Sequence, residues 1–316
     1  LDFSFIVKGV ISRINPEVFI IAETEIWPNL ITCLHKKDIP IITVNGRISD
    51  ASFRGYLAVK PLIKPILNKV NLFCVQTESD ADRLKQLGVA TDKIKVTGNM
   101  KFDQLAGVGA DGYRQRLGLA SEEKLLIAGS THSAEEEIVL GAYKVVLNSF
   151  PDLKLLIAPR HPQRAKGLLK TVSAFGFSGF EISRLSTQGL DRAANHVFIL
   201  DTVGELANFY ALADIVFIGG SLIKKGGHNI LEPANLGKPV IFGPHMFNFR
   251  DIAGMFLENN AAIMVHNQLD LASAVELLLN NSLRVRQLTN NAREVIMRNQ
   301  GATKRNIQAI GEMIGL

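Results

Sequence analysis

Between Ile218 and Pro244 the chain reads IGGSLIKKGGHNILEPANLGKPVIFGP, six glycines and one histidine around a single carboxylate, Glu232. The run follows an apolar strand pattern, DIVFIG (214–219). Bare backbone at such a place lets amide N–H groups approach an anion closely, and a helix start beyond it adds about half a positive charge. Asn229 is positioned to cap a helix that Gly237 would end. Glu232, one turn inside, cannot bind phosphate, but it can accept two hydrogen bonds from a vicinal diol such as a ribose. Phosphate on amides and ribose on a carboxylate together describe a nucleotide reader. Each glycine alone fits an ordinary strand-to-helix turn, with Glu232 complementing the dipole; the combination favours the reader.

Other residues stand at strand ends, where an open parallel sheet binds its ligands. Arg160, in APRHP (158–162), suits a phosphate or a carboxylate, which a guanidinium grips bidentately. His161 and Arg164 are weaker candidates. Glu23 and Glu25, in AETEIWPNL (22–30), form an acid pair with no evident folding role, and Lys101 in TGNMKFD (97–103) is a natural partner for them. Gly204 and Glu205 open a helix in DTVGELANFY (201–210). In GSTH (129–132), Ser130, Thr131 and His132 suit a ligand pocket, while Ser130 or Ser133 equally suits the cap of a helix over 133–149, with Glu135 to Glu137 complementing its dipole. ESDAD (78–82) reads as a capping sequence. No His and Asp/Glu set has metal-ligand spacing, so a metal-independent mechanism without a resident cofactor is expected. Walker A and GxGxxG patterns are absent too, which removes the usual anchors of ATPase and NAD readings.

The elements that must position these residues alternate between short continuous apolar runs and amphipathic segments. Strands are expected at 18–22, 40–44, 72–76 and 94–98, then at 124–129, 154–159, 196–200, 214–219, 238–243 and 261–265. Continuous rather than alternating apolar strands indicate an α/β fold with buried parallel sheets. The rhythm falters over 103–121, so the boundary is placed between a domain at 1–105 and one at 106–316, the last helix being a candidate to pack back on the first. Some four early strands against six later ones leave the N-terminal domain incomplete. The chain opens on Leu1, in what reads as a helix entered midway, and a longer parent protein is expected.

With 316 residues and 47% hydrophobic content, two well-filled domains are expected. The net charge of +5 is not clustered into a stripe, which argues against a nucleic-acid partner. Cys33 and Cys74 lie in apolar segments and are expected to be buried thiols of a reducing compartment. No apolar run reaches the roughly 18 residues of a membrane span. The segment at 53–73, with Arg54, Lys60, Lys64 and Lys69 as its only charges, suits an anionic membrane or a phosphorylated acceptor; otherwise it is a core helix with a solvated basic face, broken by Pro61 and Pro65.

The block over 218–244 resembles the nucleotide-binding half of the GT-B glycosyltransferases, two Rossmann-like doubly wound domains facing across a cleft. With AETEIWPNL, NGRIS (45–49), TGNMKFD, GSTH, APRHPQR, DTVGELANFY and GPHMFNF (243–249), the whole chain resembles the Kdo transferase family. That resemblance implies an inverting transfer of 3-deoxy-D-manno-oct-2-ulosonic acid from CMP-Kdo to the lipid A precursor, at the cytoplasmic face of the bacterial inner membrane. It implies CMP contacts from Pro159 and Arg160, from Val203, Gly204 and Glu205, and from Asn229, Ile230, Leu231 and Glu232. Lys101 with Glu23 or Glu25, of which Glu23 is preferred, would stabilise charge in the transition state. The family pattern also begins upstream with a membrane anchor and a Gly-Glu motif bearing the catalytic base; neither is in this sequence, so the chain alone is expected to bind CMP without transferring sugar. Two other readings stay open: a UDP-sugar transferase or epimerase of the same architecture, and a catalytically silent nucleotide- or membrane-binding module.

Overall fold

The apolar runs become two separate parallel sheets in the computed structural model, which describes residues 2–23, 25–103, 112–184 and 196–315. The chain divides into one unit of residues 1–104 with 299–316 and a second of residues 105–298.

In the first unit, β1 (Phe19–Ala22), β2 (Ile41–Gly46), β3 (Leu72–Val75) and β4 (Ile94–Val96) pair in sequence order, all parallel. Both central strands, β2 and β3, are buried along their length, as continuous apolar runs require. One face is covered by the C-terminal helix Ala302–Ile314, whose Ala309, Ile310 and Ile314 pack on Ile42, Val44, Leu72 and Cys74. Asp103 fixes the start of that helix by accepting the Gly301 and Thr303 amides at 2.6 and 2.5 Å. Cys33 and Cys74 are both buried and unbridged.

The basic segment forms two helices, Asp50–Ala58 and Lys60–Leu67. Pro61 lies in the first turn of the second, where a missing N–H costs nothing. Pro65 sits inside that helix rather than ending it. Leu57, Val59 and Leu62 are exposed beside the exposed Arg54 and Lys64. No helix among the described residues is long and apolar enough to cross a membrane.

The second unit holds a seven-stranded parallel sheet: β5 (Leu125–Thr131), β6 (Lys154–Pro159), β7 (Ser178–Glu181), β8 (His196–Ile199), β9 (Ile215–Ile218), β10 (Val240–Phe242) and β11 (Ile263–Met264). Their spatial order is β11-β10-β9-β5-β6-β8-β7. One strand more than the sequence pattern suggests is present, because β7 lies at the edge, pairs only with β8 and carries a single large apolar residue, Phe180. From β5 the chain builds outward through β6 to that edge, returns by β8, then crosses to β9 on the other side of β5. The reversal creates a switch point at the carboxyl ends of β5 and β9, the place where open parallel sheets bind their ligands.

Candidate functional site

At this switch point β5 and β9 end in unusual backbone. Ser130 has φ +58°, a left-handed conformation, and the register with β6 slips there so that Thr131 pairs with Pro159. Gly219 donates its amide to the Gly129 carbonyl at 2.8 Å, and a Cβ on Gly219 would lie 2.5 Å from the Ser130 carbonyl oxygen. Only glycine permits that approach of two main chains.

The next amides have a fixed partner. Glu135, the first residue of helix Glu135–Val146, is fully buried and accepts N–H groups from Gly220, Ser221 and Leu222 at 2.6, 3.0 and 2.9 Å. Burial pushes its carboxyl above the usual range, and the amides pull in the opposite direction. The sequence pattern reserves these glycine-turn amides for a ligand anion; in the structure a carboxylate of the protein itself fills them. Nor does serine cap this helix: Ala134 precedes it, with no side-chain cap. Glu136 also faces inward, accepting the Thr131 hydroxyl at 3.0 Å and both terminal nitrogens of Arg164 at 2.8 and 2.7 Å. Arg164 is thereby a structural cation.

Arg160, immediately after β6, is exposed, with its backbone amide on the Thr131 carbonyl at 2.8 Å. Pro159 is buried as the last residue of β6. Beside them His132 and His228 stack with rings 10° from parallel and Nε2 atoms 2.9 Å apart, while His161 meets His132 edge-on at 6.2 Å. Burial, reinforced by His132, Arg160 and His161, drops the His228 pKa to about 4. His132 is lowered by burial, Lys225, His161 and Arg164, against a smaller opposite pull from Glu136. Both shifts favour the neutral ring at pH 7.

Two further loops carry candidate residues. Val203 is 84% exposed and Gly204, with φ +88°, is exposed too, so both are open to solvent. The Glu205 carboxylate is held by the Thr202 hydroxyl, by Arg116 at 2.6 Å and by Tyr113 at 3.3 Å. Burial opposes its ionisation, but the Thr202 and Arg116 hydrogen bonds and the Arg116 charge prevail, and its pKa lies below the ordinary carboxylate value. Arg116 itself lies over the Tyr113 and Phe209 rings. In the second loop the helix Leu231–Asn235 is a single short turn. Asn229 accepts the Leu231 amide at 3.1 Å and donates to Glu232 at 3.1 Å, which orients that half-buried carboxylate. Ile230 and Leu231 bury their side chains, leaving only backbone for any ligand.

The acids and lysine of the first unit separate into two pairs. Lys101 Nζ lies 3.5 Å from Glu23, whose φ of +61° turns the chain out of β1, whereas Glu25 accepts the Trp27 indole N–H at 2.9 Å. Sequence reasoning missed the frame around Lys101: Asn45 Oδ1 accepts the Met100 amide, Gln76 donates to the Asn45 carbonyl, and Asn99 donates to Gln76 while accepting the Lys101 amide. It likewise missed Glu135, Glu136, Tyr113 and Arg116. The one signal for these was the improbability of burying charge without a partner.

Comparison with known proteins identifies the family. Residues 1–104 match the family model described as 3-deoxy-D-manno-octulosonic-acid transferase (kdotransferase), and residues 138–295 match group 1 glycosyl transferases. A 3-deoxy-D-manno-octulosonic acid transferase of Haemophilus influenzae is 36% identical over 313 residues, covering 96% of this chain and 71% of the relative. The chain belongs to the Kdo transferase family. It is accordingly a glycosyltransferase, of a family that acts in lipopolysaccharide biosynthesis. Among solved structures, the C-terminal CMP-Kdo binding domain of WaaA from Acinetobacter baumannii matches with a TM-score of 0.55 and 32% identity, over 60% of this chain and 96% of that domain. The UDP complex of S. aureus MnaA matches across 99% of this chain and 80% of its own, with a TM-score of 0.62 at 14% identity. That likeness concerns the fold alone, two Rossmann-like units of GT-B type.

Two predictions follow from the geometry. Replacing Glu135 by Gln puts an amide, with its own donors, against three buried N–H groups. This should destabilise the protein by about 3 kcal/mol in urea unfolding, the scale of breaking a buried charged contact. The histidines set a pH dependence: their folded pKa values lie below the unfolded value, so the unfolded state binds more protons as pH falls below about 6.5. Thermal stability should drop between pH 7 and about 4, and His228→Gln should flatten that slope.

Proposed function

We propose that this chain belongs to an inverting glycosyltransferase that moves Kdo from CMP-Kdo to the lipid A precursor, with CMP held by residues of the second unit. The observation that carries the reading is that an exposed Arg160 after β6, the exposed Val203-Gly204 turn after the neighbouring β8 and the Asn229-oriented Glu232 beyond β9 all follow the carboxyl ends of strands of one parallel sheet. Arg160 would grip the phosphate, Glu232 the ribose hydroxyls, and the backbone at 203–205 and 229–231 the base. Glu205, already bound by Arg116, serves the cytidine through its remaining oxygen lone pairs or by shaping its loop.

Chemically, the acceptor hydroxyl displaces CMP at the anomeric carbon with inversion. The leaving phosphate gains negative charge as the bond breaks, and preorganised cations lower that barrier most when fixed beforehand. Lys101, framed by Asn45 and Asn99 and paired with Glu23, is the cation we assign to charge stabilisation in the first unit. Glu25, engaged by Trp27, shapes the turn leading into helix Pro28–His35. No metal or resident cofactor is assigned to the reaction. The basic and apolar surface of helices Asp50–Ala58 and Lys60–Leu67 supports work at the cytoplasmic face of the inner membrane, where the lipid acceptor lies.

Calorimetry with CMP, UMP and UDP tests the donor assignment. CMP should bind most tightly, and Arg160→Ala and Glu232→Gln should each weaken it about tenfold or more, about 1.4 kcal/mol. Preference for UDP, or CMP binding unchanged in both variants, would refute it.

A further inference from the structure

His132 and His228 form an unusual pair. Their Nε2 atoms are 2.9 Å apart, so one proton lies between two ring nitrogens, and both rings flank the α-carbon of Gly220, where a Cβ would come within 3.2 Å of His228 and 3.3 Å of His132. Gly220, with φ +68°, is the first residue of the loop that Glu135 holds, so the buried carboxylate also sets the floor beneath the imidazoles.

The charges facing the pair are nearly all positive. Lys225, His161 and Arg164 act on His132, and Arg160 and His161 act on His228. Glu136 pulls His132 the other way, but it is committed to Thr131 and Arg164. A structural histidine commonly has a carboxylate or carbonyl fixing its tautomer. These two have each other, in a cationic field. Burial and that field together keep the rings neutral; a dianion placed beside Arg160 would offset the field and favour protonation of the pair.

We infer that the His132–His228 pair is a proton-accepting part of the phosphate subsite, engaging a phosphate monoester bound at Arg160 and taking up a proton from solvent as it does so. Protonation breaks the shared Nε2–H···Nε2 bond and turns both ring nitrogens into donors toward phosphate oxygens. No covalent bond forms or breaks. The inference rests on the nucleotide reading above and adds to it a residue pair and a proton.

Calorimetry of the unmodified chain at pH 7.5, with CMP and with cytidine, in buffers of differing ionisation enthalpy, reads the proton directly. CMP is then mostly a dianion, and cation contacts alone would favour proton release from it. Uptake of a substantial fraction of a proton with CMP and none with cytidine is expected. His228→Gln should abolish the uptake and weaken CMP about tenfold, while cytidine affinity stays within twofold, which also reports intact folding. Proton release or no exchange in the unmodified chain overturns the proposal, as does a His228→Gln chain that binds CMP with unchanged affinity and uptake. If Arg160→Ala weakens CMP and His228→Gln does not, only the pair's role falls. If neither matters, the nucleotide reading falls with it.

Discussion

One buried carboxylate organises the second unit. Glu135 has no solvent to ionise into, and what makes its burial tolerable is the set of three backbone N–H groups from Gly220, Ser221 and Leu222. The cost of leaving either side unpaired holds the start of helix Glu135–Val146 against the end of β9. Everything downstream inherits that constraint. The Gly219 backbone is pressed onto Ser130, Ser221 reaches back to the Ile218 carbonyl and receives the Gly243 amide, and the loop carrying His228 starts from a fixed point.

The same interaction redirects the electrostatics. A turn of consecutive amides is a ready anion site, but here its anion is intrinsic, so positive charge for a ligand must come from side chains. Arg164 is unsuited, since Glu136 holds it bidentately. Arg160 remains at the surface, next to imidazoles that its own field helps keep neutral. A neutral but protonatable rim differs from a row of lysines. It repels nothing when empty and gains charge only when an anion is present to stabilise it.

The sequence shows the scaffold better than the site. Strands such as KLLIAP and LFCV are legible because both faces of a buried parallel strand must be apolar, whatever their partners. The edge strand Ser178–Glu181 escapes that rule, being only half covered. Candidate ligand residues are legible as polar types at strand ends. Their true partners are not, because Glu135 meets Gly220 and Arg116 meets Glu205 across 85 and 89 positions, and a single sequence carries no record of such pairings. Hence Glu135 reads as a helix-dipole acid and His132 as an even choice between pocket and cap. Local pairs fare better: Asn229 and Glu232, three apart, share one turn and a hydrogen bond, although Ile230 rather than Asn229 stands at the helix N-cap.

The account depends most on where a bound phosphate sits, and crystals soaked with CMP would show it. The phosphorus is predicted beside Arg160 and the His132–His228 pair, with Glu135 still holding the Gly220, Ser221 and Leu222 amides. Density placing the phosphate on those three amides, with the Glu135 carboxylate displaced, would contradict it.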